Sequence, residues 1–90
     1  MRATAQVVVP NPLGLHARAA ARFVQAASRF ASAVRVTCGD QTVDGKSILG
    51  ILLLAASRGS MLTITADGVD AQLAVEGLRG LVATGFGEIV

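Results

Sequence analysis

Ala33-Val34-Arg35-Val36-Thr37-Cys38-Gly39-Asp40-Gln41-Thr42-Val43-Asp44 decides the architecture. Ala33–Cys38 alternates and is rich in β-branched residues, so it reads as a strand. Gly39-Asp40 is a turn signal. Gln41–Asp44 is short and reads as a second strand, and the pair makes a hairpin. Upstream, Thr4 to Val9 is β-branched and partly alternating and reads as a strand that Pro10 ends. Turn formers fill Asn11–Leu15, and a helix is expected from His16 or Ala17 to about Ser28. Ala20, Phe23, Val24, Ala27 and Phe30 recur there at helical spacing, with Arg22, Gln25 and Arg29 on the other side. Ala20, Phe23 and Ala27 are expected to face the sheet.

Downstream of the hairpin, Ser47 fits an N-cap for a short helix, Ile48–Ala55, that is apolar nearly all round. Ser57–Ser60 is a turn, and Met61–Ala66 alternates as a fourth strand closed by Asp67-Gly68. Asp70 is expected to cap a last helix, Ala71–Ala83, whose main apolar positions are Leu73, Leu78, Leu81 and Val82, with Val75 at the margin. Gly77 and Gly80 weaken that helix by roughly 1 kcal/mol each relative to Ala. Gly85 ends it, and the tail Phe86–Val90 reads as loosely held. The order β-α-β-β-α-β-α predicts an α+β fold: one four-stranded sheet with helices packed on one face.

Ninety residues argue for one domain spanning 1–90. The composition is 52% hydrophobic but only 3% aromatic, so the core is aliphatic and no aromatic platform for single-stranded nucleic acid exists. The net charge of +2 comes from basic residues spread along the chain, which argues for no nucleic-acid partner. Cys38 is alone and can form no internal disulfide; it reads as a small buried hydrophobe. One His and one Cys support no metal site. The N-terminus lacks a signal-peptide pattern, and the apolar run Ile51–Ala56 is far too short to span a bilayer. The expectation is a soluble cytoplasmic protein without membrane insertion.

The lone histidine, His16, falls where a loop gives way to a helix. The first N–H groups of a helix lack internal partners, and the aligned peptide dipoles add roughly half a positive charge at that end. Phosphate is a common occupant of such a place. Arg18 lies in the first turn, and its guanidinium fork can hold two phosphate oxygens. A positive helix end disfavours the imidazolium, and the neutral nitrogen is the nucleophile. His16 therefore reads as a phosphoryl acceptor and Arg18 as its anion clamp. A helix-capping histidine beside an arginine can equally be structural, and spacing alone does not separate the two readings.

The short helix at 48–55 poses a second question. A helix of that length on a small domain cannot bury every side chain, so some of Ile48, Leu49, Leu52 and Leu53 should be exposed as a docking face. The alternative is a fully buried core helix.

Taken together, these residues resemble the HPr family, the histidine-containing phosphocarriers of the bacterial phosphoenolpyruvate-dependent sugar phosphotransferase system. Leu13-Gly14-Leu15-His16-Ala17-Arg18 resembles the family's active-site signature. Asp44-Gly45-Lys46-Ser47-Ile48-Leu49-Gly50 resembles its second signature, around a regulatory serine. The resemblance covers essentially the whole chain. It implies an open-faced sandwich: an antiparallel four-stranded sheet covered by three helices. It also implies a phosphoryl carrier rather than an enzyme, with no cofactor, acting as a monomer.

On this resemblance His16 is phosphorylated through Nδ1 by Enzyme I and passes the group to the A components of Enzymes II. Arg18 steadies the phosphate, and Ser47 is the site of an HPr kinase/phosphorylase. Ile48, Leu49 and Leu52, with Ala21, Arg22 and Val24 from the first long helix, are the expected partner-binding residues. One position departs from the commonest pattern: Ala19 stands where the family usually has Pro after the Arg. Proline there mainly preorganises the helix, so the chemistry should survive. The His-Ala-Arg-Ala-Ala form looks like proteobacterial members, some of which serve a nitrogen-related branch. A pure regulatory binding module that never carries phosphate is the competing class. A stand-alone enzyme finds no support, because no carboxylate lies near His16 in the sequence.

Overall fold

The computed structural model describes residues 1–88. Its elements are β1 (Arg2–Val8), α1 (Ala17–Ala27), β2 (Ala33–Cys38), β3 (Gln41–Asp44), α2 (Ile48–Leu53), β4 (Met61–Asp67), α3 (Ala71–Ala83) and a 3-10 turn at Gly85–Gly87. The strands form one antiparallel sheet in the order β1-β4-β2-β3. Ala3 pairs with Ala66, Val36 with Ile64 and with Val43. The hairpin over residues 33–44 forms with the expected bounds.

Alternation in sequence becomes sidedness in space. Leu62, Ile64 and Ala66 of β4 are buried while Met61, Thr63 and Thr65 are not. Ala3 and Val7 of β1 and Val34 and Val36 of β2 complete the covered face. α3 packs over β1 and β4, and α1 packs against α3 and α2. Ala19, Ala20, Phe23 and Ala27 of α1 point into this core, as the helical spacing requires. Cys38 is partly buried against the core rather than inside it.

Three expectations about the C-terminal third are corrected. In α3 the buried stripe is Ala71, Ala74, Val75, Leu78 and Val82. Leu73 falls off that stripe and is 67% exposed, while Val75, expected at the margin, is 1% exposed. The small alanines let the helix lie close to the sheet, which fixes a rotation that turns Leu73 outward.

Asp70 does not cap α3 with its side chain. Its carboxylate instead accepts from the amides of Ala31 and Ser32, at 2.8 and 2.9 Å, and from the Ser32 hydroxyl. It thereby ties α3 to the loop before β2.

The tail is not loose through residue 88. The Phe86 ring is 2% exposed and joins the core. Arg22 donates from Nη1 to the Phe86 carbonyl. Gly85 takes φ +66, which turns the chain back after α3, and Phe86 itself is left-handed at φ 60. A bulky residue in that region is strained, and the burial of its ring holds it there. Ile89 and Val90, also expected to be loose, lie outside the described residues.

Candidate functional site

His16 is held by two backbone devices. The loop after β1 is stitched to the start of β4: the Val9 amide donates to the Ser60 carbonyl at 2.9 Å, and the Gly59 amide to the Val9 carbonyl at 2.8 Å. The Gly14 amide then donates to the Asn11 carbonyl and the Leu15 amide to the Ala56 carbonyl at 3.0 Å. Gly14 sits at φ +62, and a Cβ there would collide with the Ala56 carbonyl. Only glycine fits both constraints. Leu15 buries its side chain and leaves His16 as the N-cap of α1, in extended backbone.

The cap is unusual in using an imidazole. His16 Nδ1 accepts from the Arg18 amide at 3.3 Å, and the His16 carbonyl accepts from Ala20 at 2.8 Å. The amides of Ala17 to Ala19 precede the first rung of the helix, so they face the mouth rather than the helix interior. On the other side of the ring, Nε2 lies 2.6 Å from Glu88 Oε2. Glu88 Oε1 accepts from Asn11 Nδ2 at 2.9 Å, and Asn11 Nδ2 also donates to the Gly14 carbonyl at 2.7 Å. Asn11 is 1% exposed, and the His16 and Glu88 side chains are 26% and 17% exposed.

A carboxylate stands beside His16 in space although none lies near it in the sequence. Glu88 is distant in sequence and adjacent in space. Burial alone would raise its carboxyl, but hydrogen bonds from His16 and Asn11, with the charges of His16 and Arg22, outweigh it. The net effect holds Glu88 below the ordinary glutamate value.

The two ring nitrogens are therefore distinguishable. A backbone N–H faces Nδ1, so that nitrogen presents its lone pair. A carboxylate faces Nε2, so that nitrogen carries the proton. The more nucleophilic position is the one at the mouth of α1. Arg18 is exposed, and its guanidinium makes no hydrogen bond among the described residues, which leaves it able to swing to an anion on Nδ1.

Ser47 caps α2: its hydroxyl accepts from the Gly50 amide at 3.0 Å. Asp44 Oδ1 accepts from the Lys46 amide at 2.8 Å, and Lys46 Nζ donates to the Phe30 carbonyl at 2.8 Å. Ile51 of α2 is buried. Ile48, Leu49, Leu52 and Leu53 are all exposed, at 46%, 66%, 37% and 62%. The helix thus presents an apolar surface next to α1. Ala21 and Val24 of α1 are half-buried, and Arg22 is engaged with Phe86. Sequence reasoning missed Glu88 and the second role of Asn11. The available signal was a single acidic residue after the glycine-bracketed Phe86.

Comparison with known proteins gives consistent results. The family model described as the PTS HPr component phosphorylation site matches residues 3–84. Phosphocarrier protein HPr of Cupriavidus necator is 47% identical over 78 residues, spanning 87% of this chain and 88% of its own. The crystal structure of HPr-C-His from Thermoanaerobacter tengcongensis superposes with a TM-score of 0.93 at 39% identity, covering 98% and 99% of the two chains. That of a phosphocarrier protein HPr from Bacillus anthracis superposes at 0.86 with 44% identity, covering 90% and 96%.

Proposed function

The chain belongs to the HPr family of phosphocarriers, and on that premise we propose that His16 accepts a phosphoryl group on Nδ1 from phospho-Enzyme I. It then passes the group to Enzyme II A components of sugar uptake, in the cytoplasm and as a monomer. The protein is a phosphocarrier of the phosphotransferase system, not an enzyme.

The observation that carries the residue assignment is the pair of opposed contacts on the His16 ring. They aim an Nδ1 lone pair at the open end of α1. The lone pair attacks phosphorus, the Nδ1–P bond forms, and the donor's leaving atom keeps the pair of the broken bond. The transferred group meets the amides of Ala17 to Ala19 and the guanidinium of Arg18. In delivery the same bond breaks and the pair returns to Nδ1. Ile48, Leu49 and Leu52, with Ala21, Arg22 and Val24 beside them, form the transient docking face for donor and acceptor.

Ser47 is a regulatory site for an HPr kinase/phosphorylase. A phosphate there would gain amides at the start of α2 and put negative charge inside the apolar docking face. Ser47→Asp should therefore slow phosphorylation of His16, and an unaltered rate would reduce Ser47 to a cap. Ala19 favours one second reading, a nitrogen-branch carrier with a regulatory output. It is fully buried where the family usually has Pro, and it belongs to the His-Ala-Arg-Ala-Ala form.

The deciding assay incubates the protein with Enzyme I and labelled phosphoenolpyruvate. An acid-labile, base-stable phosphate that His16→Ala lacks is the expected result. Label retained by His16→Ala, or none on the wild type, overturns the assignment.

A further inference from the structure

The transfer steps use Glu88 only as the contact on His16 Nε2, yet this carboxylate is held more firmly than such a contact needs. Its Oε2 lies 2.6 Å from His16 Nε2, and its Oε1 is fixed by buried Asn11, which is itself fixed by Gly14. The backbone just before it is anchored by the Phe86 ring in the core and by Arg22 on the Phe86 carbonyl. Such a chain of supports is more than a tail needs merely to lie down.

We propose that Glu88 is a positioning residue for His16: it keeps the proton on Nε2 and the nucleophilic pair on Nδ1, and it faces the positive charge that the ring acquires on phosphorylation. The first half stands on geometry alone; the second rests on the carrier reading of His16. The accounting closes without a proton moving. The neutral ring begins with hydrogen on Nε2 and a lone pair on Nδ1. Formation of the Nδ1–P bond consumes that pair and leaves a phosphoimidazolium, still bearing its Nε2 hydrogen, against the Glu88 anion. Breaking the bond returns the pair to Nδ1 and the ring to neutrality. A carboxylate on the far nitrogen orients a histidine in the same way in other settings.

The test uses the full chain labelled with nitrogen-15 in histidine. Long-range proton–nitrogen correlation at alkaline pH reads which ring nitrogen bears hydrogen. The wild type should show hydrogen on Nε2 almost exclusively, and Glu88→Ala and Glu88→Gln should show a mixture of tautomers. Phosphoramidate, a small chemical phosphoryl donor, then replaces Enzyme I, so partner docking plays no part. The rate of His16 phosphorylation should fall about tenfold in both variants, the low end of what an orienting partner on a histidine supplies.

Unchanged tautomer proportions and an unchanged phosphoramidate rate in folded variants would overturn the proposal, and a lowered Tm alone would reduce Glu88 to a tail clasp. A rate that falls only with Enzyme I would overturn it too, by making Glu88 a partner contact. The carrier reading fails separately, if Enzyme I and phosphoenolpyruvate leave His16 unlabelled while its tautomer still depends on Glu88.

Discussion

At the start of α1 the capping side chain is an imidazole whose far nitrogen meets a carboxylate 72 residues along the chain. At the start of α2 it is a serine whose partner, the Gly50 amide, lies three residues on. Both junctions satisfy a free helix amide, but they differ in what holds them. The cap of the α2 junction is made by its own neighbours, and only Lys46 reaches farther. Ser47 caps, Asp44 binds the Lys46 amide, and Lys46 reaches Phe30. The α1 junction is completed by the far end of the chain, through Phe86, Arg22 and Glu88. Its cation, Arg18, is left uncommitted where Lys46 is engaged. A junction made locally can serve as a cap or a modification site. One that must present a nucleophile in a fixed orientation needs support on both sides of the ring, and a helix end offers only one.

The contrast is most exposed at Phe86. Phe86→Ala should cost about 3–5 kcal/mol of stability, as for other fully buried aromatics. It should also release Glu88 from His16 while leaving the Ser47 cap intact. Thermal unfolding checks the first part and amide shifts at Gly50 against Arg18 the second. Equal disturbance at both junctions would erase the difference between them.

Arg18→Ala comes next. Phosphoryl transfer through His16 should slow roughly 10- to 160-fold, the weight of hydrogen bonds to a charged group at about 1.5–3 kcal/mol, with little change in Tm. Loss of folding with unchanged transfer per folded molecule would contradict the role given to Arg18.

Ser47→Ala should cost about 1 kcal/mol, the usual worth of an N-cap, and leave chemical phosphorylation of His16 unaltered. A large effect on His16 would mean that the two junctions communicate.

The smallest effect is in acid. Glu88 and Asp70 are both depressed in the folded protein. For Glu88, burial pulls the other way and is outweighed by the hydrogen bonds of His16 and Asn11; for Asp70, the Ser32 hydroxyl leads. A depressed carboxyl binds its proton more readily in the unfolded chain. The stability it adds is therefore complete above its unfolded value and disappears as pH falls through the folded one. Denaturation midpoints should drop below about pH 4, and Asp70→Asn should flatten that decline. A decline unchanged by Asp70→Asn would remove the loop before β2 from the list of acid-sensitive points.

How legible this was in the sequence follows the same line between local and distant. The hairpin over 33–44, the cap at Ser47 and the start of α1 are set by neighbours a few residues away, and each appears where the pattern places it. Leu73 misleads because a leucine looks like core, whereas the rotation of α3 is fixed by Ala71 and Ala74, which are small enough for close approach to the sheet. Asp70 sits where an N-cap belongs, but two amides and a hydroxyl from the 31–32 loop outbid the helix for its carboxylate. At the candidate site, the placement of His16 as the cap of α1 and of Arg18 in its first turn is readable from type and position. That of Glu88 is not, since no periodicity links residues 16 and 88. Only the return of the chain at Gly85 and the burial of Phe86 bring them together.

Nδ1 of His16 is the atom proposed to carry the phosphoryl group. Phosphorus-31 spectra of the phosphorylated protein, labelled with nitrogen-15 in histidine, test it directly. One phosphorus–nitrogen coupling should appear, to the ring nitrogen that faces the Arg18 amide. Coupling to the nitrogen beside Glu88, or a phosphate that shows no coupling to histidine at all, would contradict it.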